Sequence, residues 1–245
     1  MTEDWLAKLR QGPVIVTRPS PDLETTQAAL EEAGFRTIAS PVMNIVHKAQ
    51  PLPPRESYDA LAFTSANGVR AWCAAGGPRD IPSFFIGTAS ASAGHDAGLL
   101  VANVSGKDVN SLADVILGTH PRPRILHVRG VDAAGDLVGR LHAGCVEAHG
   151  LVLYRAVPTE KITPPAVAAI KEGGATIALF SPRTTRLFLR LAEDQGLIPA
   201  LRFCRFACLS PAVADMADDI QTYEILVAKA PSLLAFVDTL KADCA

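Results

Sequence analysis

The sequence predicts an α/β protein made of two doubly wound parallel-sheet domains of the flavodoxin or Rossmann kind, and three observations predict it. Short apolar, β-branched runs alternate with helical patterns along the whole chain, which is the pattern of parallel sheets covered by helices on both faces. One offset of 111 residues carries Val14-Ile15-Val16-Thr17-Arg18 onto Ile125-Leu126-His127-Val128-Arg129, and Val42-Met43 onto Leu153-Tyr154. A chain of 245 residues can bury one large core or two of ordinary size, and an internal duplication favours two domains of roughly 120 residues each. Third, the stretches Ala39 to Val46 and Gly150 to Pro158 occupy matching places in the two copies. Pairing of these stretches as antiparallel strands puts the middle of the chain in one domain and both ends in the other, with a double connection that can act as a hinge.

The elements follow in order. Residues 2–11 read as a short amphipathic helix ended by Gly12-Pro13. Val14 to Thr17 is a buried-strand run, Asp22 to Ala33 a helix stopped by Gly34, and Phe35 to Ile38 a strand, so the chain opens β-α-β. Gln50-Pro51-Leu52-Pro53-Pro54 fits neither a helix nor a strand interior and marks a boundary. Strands are expected at 58–63, 83–86 and 101–104, and helices at 65–75, 87–97 and 111–117. The second copy has strand 124–128, helix 133–141, the Tyr154 stretch, a loop at 159–165 and a helix at 166–172. Strand 176–180, helix 182–193, strand 205–209, helix 211–218, strand 224–227 and helix 232–240 complete it.

Composition excludes several classes. Apolar residues make up 49% and charged ones 20%, ordinary for a globular protein. No apolar run reaches the ~20 residues that span a bilayer, and Met1-Thr2-Glu3-Asp4-Trp5 lacks the basic and apolar regions of a signal peptide. No membrane association and a cytoplasmic location are therefore expected. A net charge of -2, with three Tyr and nine Phe not clustered as stacking platforms, argues against nucleic acid. Five cysteines without CxxC spacing read as reduced thiols.

Familiar chemical signatures are missing. No GxGxxG follows a strand, Gly106-Lys107-Asp108 lacks the upstream glycine of a P-loop, and neither HExxH nor GxSxG occurs. His142, Cys145 and His149 do not share a face because Gly144 breaks the helix, so zinc is not expected. What recurs is a strand that ends in Ser, Thr or Gly, often followed by Pro, then a helix: Thr17-Arg18-Pro19, Thr64-Ser65-Ala66-Asn67, Gly87-Thr88-Ala89-Ser90, Ser181-Pro182-Arg183-Thr184 and Ser210-Pro211-Ala212. Each junction alone is ordinary capping grammar. Five together, at the carboxyl edge of doubly wound sheets, offer free amides and the positive ends of helices to a ligand rich in carboxylates. Arg183 lies near such a junction, where it can meet a carboxylate, whereas Arg186 and Arg190 read as a solvated face. Arg18 and Arg129 occupy equivalent places in the two copies, each open to a ligand contact or a local ion pair.

The chain resembles the uroporphyrinogen-III synthase family. Val16-Thr17-Arg18-Pro19, Phe63-Thr64-Ser65-Ala66-Asn67-Gly68-Val69, Phe85-Ile86-Gly87-Thr88, Leu126-His127-Val128-Arg129-Gly130, Val152-Leu153-Tyr154-Arg155-Ala156 and Phe180-Ser181-Pro182 carry the resemblance from Val14 to Leu240. It implies two α/β domains, one inserted in the other and joined by a two-stranded connector: residues 1–38 with 159–245, and residues 47–150, with 39–46 and 151–158 as connector strands and a ligand cleft between the domains. It implies a lyase of tetrapyrrole (haem, chlorophyll, cobalamin) biosynthesis that closes hydroxymethylbilane with loss of water and inversion of ring D. No cofactor and no metal are then needed. Tyr154 is the implied acid, and Thr17, Arg18, Ser65, Ala66, Asn67, Gly87, Thr88, Ser90, Arg129, Ser181, Arg183 and Ser210 the expected substrate contacts. The family usually has Gly and a later Thr where this chain has Ser210-Pro211-Ala212-Val213, which excludes a hydroxyl contact at Val213. A monomer is expected, with transient contact with hydroxymethylbilane synthase as its macromolecular encounter. The rivals are a non-catalytic hinged small-molecule-binding or sensor protein and a nucleotide-sugar transferase; the former would need a signal peptide or a DNA-reading segment, and the latter is usually longer.

Overall fold

The computed structural model of the protein describes residues 10–106, 108–133, 135–218 and 220–244. The expected helix over residues 2–11 lies, apart from Arg10 and Gln11, outside the described residues. The chain forms two compact units, residues 1–44 with 157–245 and residues 45–156.

In the first unit, strands β1 (Val14–Val16), β2 (Thr37–Ala39), β9 (Thr176–Leu179), β10 (Arg205–Cys208) and β11 (Glu224–Val227) form a sheet in the order β11-β10-β9-β1-β2. All four pairings are parallel, and Val14 is in register with both Thr37 and Thr176. Renumbered within the unit, the order is 2-1-3-4-5, the flavodoxin-like winding. β1, β9 and β10 are buried throughout, which explains why their sequences are continuous apolar runs rather than alternating ones. Helix α1 (Asp22–Glu32) and the C-terminal helix α10 (Leu233–Cys244) supply one face, where Leu23, Leu30, Phe236 and Leu240 pack on Val14, Val16 and Ala178. Helices α6 (Pro164–Glu172), α7 (Pro182–Asp194), the short α8 (Ile198–Leu201) and α9 (Pro211–Ala214) supply the other, with Phe188 edge-on to Phe206. The carbonyl of Pro13 accepts from the Thr176 amide and the guanidinium of buried Arg205 donates to Thr176 Oγ1, 3.1 Å away, and to the carboxylate of Asp243.

In the second unit, β3 (Met43–His47), β4 (Ala60–Phe63), β5 (Pro82–Ile86), β6 (Leu100–Ser105), β7 (Ile125–Gly130) and β8 (Ala148–Pro158) form a sheet in the order β3-β8-β7-β4-β5-β6. The pairings β7–β8, β4–β7, β4–β5 and β5–β6 are parallel. β3 runs against β8: the amide of Lys48 donates to Leu153 O and the amide of Thr159 to Val42 O, so one strand advances as the other retreats. The chain thus leaves the first unit through β3 and returns to it through β8. Helices α2 (Ala66–Ala74) and α3 (Gly87–Asp96) cover one face, with Trp72, Phe63 and Phe85 fully buried; burial of each such ring is worth about 1.5–3 kcal/mol. Helices α4 (Val109–Leu117) and α5 (Leu137–Ala143) cover the other, through Leu112, Ile116, Leu137 and Leu141.

The duplication and the units do not coincide. The 111-residue offset carries β1 onto β7 and β2 onto β8, while β4, β5 and β6 correspond in order to β9, β10 and β11. The first sheet therefore takes two strands from the first copy and three from the second, whereas the second takes β7 and β8 from the second copy and its other four strands from the first; apart from the added edge strand β3, both wind the same way.

Several boundaries differ from the sequence reading. Helix α5 starts at Leu137 rather than Ala133, because Gly135 has φ +82° and the Asp136 carboxylate caps the Gly139 amide at 2.9 Å. The helix expected over 211–218 is α-helical only to Ala214 and tightens to a 3₁₀ turn at Asp215–Ala217. Helix α4 starts two residues early, at Val109, on a capping box between Asp108 and Ser111.

Candidate functional site

In a doubly wound sheet the chain leaves adjacent strands toward opposite faces at one point, and the loops part there to leave a crevice at the carboxyl edge. In the second unit that point lies between β4, whose chain continues into α2 on one face, and β7, whose chain continues into α5 on the other. A cavity of about 490 Å³ opens there. Its wall comes from five strands: Thr64 and Ser65 after β4, Ile86 at the end of β5, Asp108, Val109 and Asn110 after β6, Gly130 at the end of β7 with Asp132, Ala133, Gly135 and Asp136 beyond it, and Tyr154 on β8.

Tyr154 is the best-defined side chain of this wall. Its ring packs over Gly130, where a Cβ would stand 2.8 Å from Cε2 and Cζ, so only glycine leaves room for it. A register shift between Arg129 and Gly130 sets Gly130 opposite Tyr154, and the Val131 amide donates to Tyr154 O at 2.9 Å. The phenol oxygen lies 2.7 Å from Ser65 Oγ. Ser65 is the N-cap of α2 and accepts from the Gly68 amide at 3.2 Å. Helix α2 sits close enough to β7 for this because residue 68 is glycine, where a Cβ would fall 2.9 Å from Val128 O.

Behind the wall, Thr64 Oγ1 is 3.4 Å from Nε2 of His127, which is 2% exposed. Burial, reinforced by the positive charge of Arg129 and opposed by Asp136, brings the His127 pKa down to about 4, so the imidazole is neutral near pH 7. The far side of the cavity is acidic. Asp108 accepts from the Ser111 amide at 2.8 Å, which holds its carboxyl below the ordinary value, and Asp136 caps α5. The N-termini of α4 and α5 are thus already answered by carboxylates.

The other expected residues fall as follows. Ala66 and Asn67 form the first turn of α2, with Asn67 Oδ1 accepting from Arg70. Gly87 has φ +71° and opens α3 without a side-chain cap; Thr88 is exposed beside it, while Ser90 is 5% exposed within the helix. Arg129 turns toward Gly150 and Val131 O and does not line the cavity. In the first unit, Thr17 is fully buried and its hydroxyl donates to Ala178 O at 2.7 Å, so its side chain serves the sheet. Arg18 pairs with Asp22 at 2.9 Å and lies 4.8 Å over the Phe180 ring, an ion pair and a stacking contact at once. Ser181 caps α7 through the Thr184 amide, exposed Arg183 sits in its first turn, and Ser210 precedes α9 without a side-chain cap. Arg18, Ser181 and Arg183 mark the switch point of the first sheet, between β1 and β9; Ser210 lies one strand further, after β10. The first sheet thus gathers Thr17, Arg18, Ser181, Arg183 and Ser210 along its carboxyl edge, and the second gathers Ser65, Ala66, Asn67, Gly87 and Tyr154 along its own.

Sequence reading passed over Asp108, Asn110, Asp132 and Asp136. Asp108 and Asp136 carried a signal, an acidic residue three places before Ser111 and Gly139 at a helix start, but nothing local tells that four loops converge on one cavity.

The family model described as HEM4, Uroporphyrinogen-III synthase HemD, matches residues 24–238. The crystal structure of uroporphyrinogen-III synthetase from Helicobacter pylori is similar in fold, with a TM-score of 0.62 and 17% identity over 93% of this chain and 97% of that one. A mutant uroporphyrinogen III synthase from the extremely thermophilic bacterium Thermus thermophilus is similar with a TM-score of 0.56 and 17% identity over 95% of this chain and 98% of that one. A search of curated proteins by sequence finds no match. Among the described residues, no helix is long and apolar enough to cross a membrane.

Proposed function

The chain belongs to the uroporphyrinogen-III synthase family, and on that premise we propose that it is a cyclising hydro-lyase that converts linear hydroxymethylbilane into the ring-D-inverted macrocycle of tetrapyrrole biosynthesis. The observation that carries this reading is the Tyr154 hydroxyl on the wall of a cavity at a sheet switch point, in a chain of this family.

The pyrrole nitrogen of the terminal ring pushes its electron pair toward the hydroxymethyl carbon, and the C–O bond breaks. A proton from Tyr154, or a hydrogen bond from it, lets the departing oxygen leave as water. A donor so placed is worth roughly 10²- to 10⁴-fold when it transfers the proton fully, and a phenol, a weak acid, acts mainly through the hydrogen bond. The substituted carbon of ring D attacks the electrophilic carbon and forms a spiro intermediate. The bond from that ring to its old methylene bridge then breaks, and a new bond closes at the other side of the ring, so one water is lost overall and ring D is reversed. The protein's share is to hold the reacting carbons in register. Acetate and propionate arms that reach the second unit meet main-chain amides at the starts of α2 and α3, with Thr88 beside them. The acidic wall formed by Asp108 and Asp136 suits pyrrole N–H groups better than carboxylates. Incubation of the purified protein with fresh hydroxymethylbilane, followed by resolution of the porphyrin isomers, tests the reading: the inverted isomer should dominate, whereas the isomer mixture formed in buffer alone would overturn it.

A further inference from the structure

We propose that Ser65 is a positioning residue that acts through Tyr154: it donates its proton to the phenol oxygen and leaves the phenol O–H free to point into the cavity. This rests on the reading of Tyr154 given above.

The direction follows from what each oxygen can do. Ser65 Oγ already accepts from the Gly68 amide at 3.2 Å, and it lies 2.7 Å from Tyr154 OH. A hydroxyl that accepts from an amide at the positive end of a helix is polarised toward giving its own proton away, and successive hydrogen bonds strengthen one another. The chain therefore runs Gly68 N–H to Ser65 O–H to Tyr154 O–H, and ends at whatever stands in the cavity. The receiving phenol cannot swing out of line, because its ring is packed over Gly130 and its backbone carbonyl is held by Val131. A serine at this position thus does two things at once: it caps α2 and fixes the orientation of the phenol proton. The equivalent serine of the first sheet, Ser181, caps α7 in the same way, but the residue 111 places before Tyr154 is Met43, so the second half of the relay exists in one unit only.

A double-mutant cycle on turnover tests the inference. Ser65→Ala is expected to lower kcat by roughly 3- to 10-fold, the worth of one hydrogen bond, with KM changed less than about twofold. Ser65→Thr, which keeps hydroxyl and cap, should stay within about twofold of the parent. Tyr154→Phe should be slow, and Ser65→Ala should slow it no further. If Ser65→Ala misfolds, Ser65→Gly removes the same hydroxyl at little cost to the cap and takes its place. Equal factors for Ser65→Ala in both backgrounds, an effect on KM alone, or a Ser65→Ala variant slower than Tyr154→Phe would each overturn the relay and make Ser65 a direct contact. Should Tyr154→Phe turn over as fast as the parent, the relay falls with the assignment of Tyr154; equal factors beside a slow Tyr154→Phe remove the relay alone.

Discussion

Gly130 and Tyr154 are in contact as backbone against ring, with no room between them for a methyl group. The phenol that faces the cavity is held by a missing side chain as much as by its hydrogen bond to Ser65. Gly130→Ala places a carbon 2.8 Å from Cε2 and Cζ, and the ring must move. The expected result is a loss of turnover like that of Tyr154→Phe, together with a destabilisation of about 1–3 kcal/mol for overpacking. Steady-state rates and urea unfolding of the same sample check both. Unchanged turnover in Gly130→Ala would mean that the ring's place does not matter to the reaction.

His127 gives the fold a dependence on pH. Its pKa is about 4 in the fold, lowered first by burial and then by Arg129, against 6.5 in an unfolded chain. Between these values the unfolded state binds a proton that the folded state refuses, so stability is fully present above pH 6.5 and declines as pH falls toward 4, by about 3 kcal/mol. Urea midpoints measured from pH 7.5 to pH 4.5 should fall more in the parent than in His127→Gln, which has no proton to take up. Parallel curves for the two would show that another group sets the acid limit.

Asp243 anchors the last helix of the first unit to the buried guanidinium of Arg205, which is 3% exposed and also donates to Thr176. Asp243→Asn removes the carboxylate charge to which this guanidinium donates. The cost is about 2–4 kcal/mol, at or below the usual range for a broken buried pair because the carboxylate is 19% exposed. Thr176→Val, which removes a single acceptor, should cost about 1 kcal/mol. Chemical denaturation of the three proteins gives the order, and equal stability of Asp243→Asn and the parent would contradict it.

Much of the fold is legible because its causes are local. Val14 to Val16, Ala60 to Phe63 and Thr176 to Leu179 are buried along their whole length, and a strand covered on both faces must be apolar throughout. Ser65 and Ser181 precede their helices and cap them, so the hydroxyl marks the start. What failed locally failed for local reasons. The stretch from Ala133 has a helical pattern, but Gly135 adopts a positive φ and delays α5 until Asp136 can cap it. The four-residue α8 contains Pro199 and is too short to show a period. The site is another matter, because it is made by distance in sequence. Ser65 and Tyr154 are 89 residues apart, and only the parallel order β8-β7-β4 brings their oxygens together. The duplication was visible as an offset, and the expected pairing of the two connector stretches already put strands of both copies in each sheet, but an offset alone does not give the order in which those strands lie. Nor could it distinguish Arg129, turned to Gly150, from Arg18, stacked on Phe180.

Turnover of fresh hydroxymethylbilane by the parent protein and by Tyr154→Phe, followed as rate and as isomer fraction in one experiment, bears most directly on the proposed chemistry. The parent should form the inverted macrocycle faster than the bilane closes in buffer. Tyr154→Phe should be slower by several-fold or more while what it forms remains inverted, since the phenol aids departure of the oxygen and the fold sets the register. A parent that yields the same isomer mixture as buffer, at the same rate, would contradict the assignment of this reaction to the chain.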